Sequence, residues 1–163
     1  MATWSEFEAD APALAATGRK LLYRDGPFAG AFLGTVRKDG GPRLHPIFPV
    51  LADGQLWALI VNMSYKYRDL QRDPRYALHT FAGTDGGDEF YIMGTANEVV
   101  DPKARARIRP VLEAAGGYLH DFEALFALDI ERALHTTWEN WGTAETWPRY
   151  DKWPATGGRG LVV

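Results

Sequence analysis

The chain has 163 residues, 46% hydrophobic and 24% charged, enough for one folded domain and too well supplied with apolar residues for disorder along most of its length. A formal net charge of −3 argues against a general nucleic-acid binder, and the lack of cysteine excludes disulfides, thiolate catalysis and cysteine-held metals. No apolar run approaches the ~20 residues that cross a bilayer as a helix, and the start MATWSEFEAD lacks the basic-then-apolar order of a secretory signal, so a cytoplasmic protein is expected.

From Trp4 to Tyr23 apolar residues recur at helical spacing, with Ser5 as a plausible cap, which predicts an N-terminal helix within residues 1–25. RDGPFAG breaks it. Ala31–Arg37 then reads as a strand, KDGGP as a tight hairpin turn, and Arg43–Leu51 as the partner strand. Pro46 and Pro49 place that partner at an edge or a bulge. ADGQ turns the chain into a third strand, Leu56–Val61. The polar stretch NMSYKYRDLQRDPR reads as a short helix or turn ending at Pro74, followed by strands Tyr76–Ala82 and Glu89–Val100. Asp101 and Pro102 open a helix over 101–116 that Gly116–Gly117 stop. The segment 122–138 is ambiguous, with its second part, Leu128–Trp138, expected as the last strand.

These elements assemble into a mainly β fold, a small antiparallel barrel with peripheral helices and no repeats. The expected organisation is a single domain over 1–163. Its barrel spans 28–139 with the helix inserted, and residues 140–163 form an aromatic tail. Four of the six tryptophans, Trp138, Trp141, Trp147 and Trp153, lie after position 137 and are expected to cover something apolar.

Chemistry concentrates in Ser64–Arg75. There Lys66, Arg68, Arg72 and Arg75 stand among the hydroxyls of Ser64, Tyr65 and Tyr67, a mixture suited to a phosphate monoester. The other reading is a solvated basic helix face, neutralised in part by Asp69 and Asp73. His45 is the candidate catalytic group, since imidazole titrates near neutral pH; it reads equally as a barrel histidine. The remaining histidines have no metal-ligand spacing, so no metal is expected. There is no GxSxG, GxGxxG or GxxxxGK[ST] motif, which disfavours a serine hydrolase and a parallel nucleotide-binding fold.

The series GTVRKDGGPRLHPIFPV, DGQLWALIV, SYKYRDLQRDPR and YALHTF resembles the pyridoxamine 5′-phosphate oxidase-like superfamily of FMN-binding split β-barrels, over roughly Phe28 to Val100. The resemblance implies a homodimer with flavin sites at the subunit interface and a small-molecule substrate. It implies that Lys66 grips the flavin phosphate with Ser64 and Tyr65 as neighbours, and that Arg43, Leu44, His45 and Pro46 lie along the ring. It also implies that Asn62 reaches the ribityl chain or phosphate. Trp138 and Trp141 would stand near the partner's flavin, or else seal the barrel and interface. Many members carry Arg where this chain has Ser64 or Tyr65, and WPRYDKWP lacks the basic ending of the pyridoxamine phosphate oxidases proper. The expected function is therefore an FMN-dependent oxidoreductase of unknown substrate. A deazaflavin-dependent reductase and a non-catalytic flavin- or haem-binding barrel are the alternatives.

Overall fold

The computed structural model describes residues 1–24, 26–81 and 87–154. Helix α1 (Trp4–Asp10) starts at Thr3 instead of Ser5. The Thr3 hydroxyl accepts from the Glu6 N–H at 3.3 Å while the Glu6 carboxylate accepts from the Thr3 N–H at 2.7 Å, so two otherwise orphaned donors are satisfied together. Pro12 suits a first helical turn, and it begins a separate helix, α2 (Pro12–Leu22), where the sequence suggested one continuous helix.

Eight strands follow: β1 (Ala31–Val36), β2 (Pro42–Ile47), β3 (Val50–Ala52), β4 (Gln55–Val61), β5 (Arg75–Thr80), β6 (Glu89–Glu98), β7 (Glu123–Glu139) and β8 (Trp147–Trp153). Helix α3 (Tyr65–Arg72) lies between β4 and β5, and α4 (Pro102–Ala114) between β6 and β7. All strand pairs are antiparallel, in the order β2-β1-β5-β6-β7-β4-β3, with β8 added beside β7. The expected strand 43–51 is broken at Phe48–Pro49 into β2 and β3, which stand at opposite ends of this order. Three Cα–Cα steps from Ile47 to Val50 reach about 11 Å at most. The two ends of the sheet must therefore meet, and the sheet curls into the antiparallel split barrel.

β7 is the seam. One side pairs with β6 along most of its length. The other side pairs with β4 through Glu123–Leu128 and with β8 through Ala133–Glu139. The register against β6 slips at Met93/Gly94, leaving Glu131 as an extra residue. Such a bulge coils a strand that would otherwise be too long and flat. Backbones approach closely there, since a Cβ on Gly94 would lie 1.9 Å from the Asp129 carbonyl oxygen.

Side chains from α1, α2 and the strands share one interior cluster that includes Trp4, Phe7, Leu33, Leu78, Phe90 and Ile130. A second cluster sets Ile108 and Leu112 of α4, with Leu119, against Val50, Trp57 and Leu125. The start of β7 is thus covered on both faces, and consecutive residues Ala124, Leu125 and Phe126 are all buried. That explains why this half of the strand shows no alternation in the sequence. Among the described residues no helix is long and apolar enough to cross a membrane.

Candidate functional site

A cavity of 380 Å³ opens where the β2–β3 link, the end of β4, α3 and the turn after α4 converge. Pro46, Phe48, Leu59, Lys66, Tyr118 and Glu123 are among its walls. The turn is built by Gly116–Gly117. Gly116, at φ 86°, donates to Glu113 O at 3.1 Å, and Gly117 donates to Leu112 O at 2.8 Å. This pattern ends a helix by reversing the chain, and it delivers Tyr118 and His120 to the cavity. Asp101 caps the other end of α4, accepting from the Lys103 and Ala104 N–H groups at 3.1 and 3.3 Å.

Ser64 caps α3, its hydroxyl accepting from the Tyr67 N–H at 3.2 Å. The backbone donors of Tyr65 and Lys66 lie in the first turn, where a helix supplies no acceptor and carries partial positive charge. The Lys66 side chain turns into the cavity and is half-buried. Among the described residues its ammonium has no hydrogen-bond or ion-pair partner. Burial holds its pKa below the usual lysine value, with Glu123 pulling the other way. Glu123 itself accepts from the His120 N–H at 3.0 Å, and the His120 ring stacks on Phe122 at 5.0 Å.

Behind Lys66 is a buried carboxylate. Asp69 accepts from Arg43 Nε at 2.6 Å, Thr35 Oγ1 at 3.1 Å and Arg72 at 3.1 Å. Arg72 also donates to Val36 O. The web ties β1, β2 and α3 into one unit. Burial pushes the Asp69 carboxyl up, but the hydrogen bonds from Arg43, Arg72 and Thr35 outweigh it and hold the group below the usual range. Arg43 also lies 5.0 Å over the Tyr65 ring, so its guanidinium is occupied away from the cavity.

His45 sits opposite Leu33 in the β1–β2 register. Its Nε2 is buried without a hydrogen-bond partner among the described residues. Burial depresses its pKa first, and the Lys66 and Arg43 cations add to the effect against Asp69. The shift favours the neutral ring.

The structure thus brings Pro46 and Lys66 of the sequence candidates to the cavity and places Arg43 and His45 in the charged layer behind it. Leu44, on the opposite face of β2, is 65% exposed, as is Tyr65. Asn62 is exposed, with its N–H donating to Phe122 O at 3.0 Å. Trp138 packs on Trp141 at 5.5 Å, fifteen residues along β7 from Glu123, so within one chain it is not part of the cavity.

The family model for pyridoxamine 5′-phosphate oxidase matches residues 29–142. The chain belongs to that family. The match to pyridoxamine 5′-phosphate oxidase takes in the whole charged layer and Lys66 and stops before β8. None of the curated proteins matches the sequence. Among solved structures the chain is similar to a haem-binding protein from Mycobacterium smegmatis, at 19% identity and TM-score 0.57, covering 82% of this chain and 55% of that one. It is similar to an F420 reductase at 20% identity and TM-score 0.52, covering 71% of this chain and 94% of that one. It is also similar to PhzG from Burkholderia lata 383, solved with tetrahydrophenazine-1-carboxylic acid, at 15% identity and TM-score 0.54, covering 88% and 95%. At these identities the likeness is one of fold.

Sequence reasoning missed Phe28, Tyr118, His120 and Glu123, which line the cavity from loops and a strand start. The one available signal was the Gly116–Gly117 stop, which marks where α4 hands the chain back to the barrel.

Proposed function

We propose that this chain is an FMN-dependent oxidoreductase acting as a homodimer on a small-molecule substrate. One observation carries the reading: Lys66 holds a half-buried ammonium at a cavity, without a hydrogen-bond or ion-pair partner among the described residues, next to the open first turn of α3. Burial outweighs the pull of Glu123 on this ammonium, and a phosphate monoester placed there offsets the remaining desolvation cost.

The remaining walls suit the rest of FMN. The cavity volume lies within the range of about 300–1,000 Å³ usual for cofactor sites. Pro46, Phe48 and Leu59 provide apolar surface for a flat ring. Among the described residues β2 pairs with β1 alone, so its outer edge keeps backbone N–H and C=O groups that can address a polar ring edge. FMN, when bound, supplies the hydride chemistry. Lys66 and the Tyr65 and Lys66 amides bind and orient the phosphate. The Asp69 web fixes α3 against β2, which keeps the phosphate end and the ring end at a set spacing. His45 stands in the layer behind the cavity, where burial and the Lys66 and Arg43 cations favour its neutral ring. Phe32, Leu44 and Phe48, at 37%, 65% and 67% exposure, supply apolar surface for a second copy of the chain. In such a pair Trp138 meets the partner's cavity instead of its own.

A haem-binding reading is favoured by a single feature, that His120 lines the cavity.

Lys66→Ala is expected to weaken FMN binding by about 1.5–3 kcal/mol, roughly one to two orders of magnitude in Kd by fluorescence titration. Unchanged affinity removes Lys66 from the site. A chain that sediments as a monomer at micromolar concentration contradicts the shared-site arrangement.

A further inference from the structure

Next to the main cavity lies a smaller one of 160 Å³, walled by Leu21, Leu22, Pro27, Gly30, Phe48 and Phe81 together with Phe28. Pro27, Phe28 and Phe48 border both spaces, so the two adjoin across a shared aromatic partition. Among the described residues no charged or hydrogen-bonding side chain faces the smaller space. Its backbone is already engaged at one point, where Gly30 N–H donates to Leu22 O at 2.8 Å. Phe81 is braced edge-on against Phe32 at 4.8 Å. The space depends on the missing side chain at Gly30, because a Cβ there would lie 2.8 Å from the Phe81 ring.

We propose that this annex is a subsite for an uncharged six-membered ring, and that the substrate is an apolar, ring-bearing small molecule; the second statement rests on the reading of the main cavity as the cofactor site. Size and lining decide the class. An apolar space of about 150 Å³ lined by aliphatic and aromatic side chains has room for one benzene-sized ring. Among the described residues neither water nor a carboxylate or phosphate finds a side-chain partner there, so the desolvation of a charged group is uncompensated. Phe28 is 60% exposed, which leaves its face free to close on a ring by offset or edge contact. A ring seated there abuts the main cavity, the placement a substrate needs to meet the cofactor.

The test is an amide-resolved NMR titration of the full chain with fluorobenzene, run with and without FMN, beside a separate FMN titration. The proposal expects saturable binding with shifts concentrated at Leu21, Leu22, Gly30 and Phe81, and at least tenfold weaker binding of benzoate. Gly30→Ala, which adds a Cβ 2.8 Å from the Phe81 ring in the annex alone, is expected to weaken fluorobenzene at least tenfold. No saturation up to the solubility of the probe, or shifts centred elsewhere, overturns it. Binding seen only after dilution to monomer means that a partner's side chain fills the annex, and also overturns it. The two readings fail separately: loss of FMN binding with intact fluorobenzene binding sinks the cofactor assignment alone, and the reverse sinks the annex alone.

Discussion

On one side of the cavity α3 is fastened to β1 and β2 by hydrogen bonds to the Asp69 carboxylate; on the other, α4 is fastened to β3, β4 and β7 by Ile108 and Leu112 packed on Val50, Trp57 and Leu125. The first attachment is directional and depends on charge, so it fixes where Lys66 stands. The second is non-directional, and its chain continues into a glycine turn and exposed aromatics. On the proposed reading, a site built this way would hold the charged end of a ligand by directional bonds and cover its apolar end by packing alone.

Asp69→Ala attacks the first attachment and should have the largest effect. It strands two guanidinium groups and the Thr35 hydroxyl around a buried hole, a loss of about 3–5 kcal/mol in urea unfolding. The pH dependence has a definite sign. A carboxyl held below its unfolded pKa contributes stability above about pH 4 that is lost as pH falls through the folded value. The wild type should weaken through that acid window, and Asp69→Ala should flatten that part of the profile. Leu112→Ala attacks the second attachment. Truncating a fully buried leucine costs about 2–4 kcal/mol, and here the acid profile should keep its wild-type shape. Equal flattening in both variants would erase the contrast between the walls. Arg75→Ala is the smallest change. The Arg75 side chain hydrogen-bonds Asp73 and holds its pKa at about 2. Removing it should return the Asp73 titration, followed by carboxyl-carbon NMR, toward the ordinary range while the urea midpoint barely moves.

Much of this was legible in the sequence. The hairpin KDGGP, the turn ADGQ, the cap at Asp101 and the stop at Gly116–Gly117 are local rules, and β1, β4, β5, β6 and α4 follow them within a residue or two. The failures are tertiary. FEALFAL fits a helical period because α4 buries the outer face of β7, so Leu125 is as apolar as Phe126. The tail strand β8 is recruited by the far half of β7, and its residues are exposed or half-buried, which leaves no alternation to read. Lys66 stands out in the sequence because its neighbours mix cations and hydroxyls in a composition suited to a phosphate, and the structure places it at the cavity. Phe28, Tyr118, His120 and Glu123 were not, since no pattern in the chain brings four separate segments around one cavity. Asp69 was read as partial neutralisation of a basic face, when folding makes it the buried hub of that face.

The central claim is that the cavity beside Lys66 holds FMN. The direct test is an absorbance spectrum of freshly purified protein, repeated after FMN is added and the excess removed by gel filtration. Retained oxidised-flavin bands, lost in Lys66→Ala, are the predicted result. A colourless protein that releases all FMN, or one that shows a Soret band or deazaflavin absorbance instead, would contradict the claim while leaving the barrel in place.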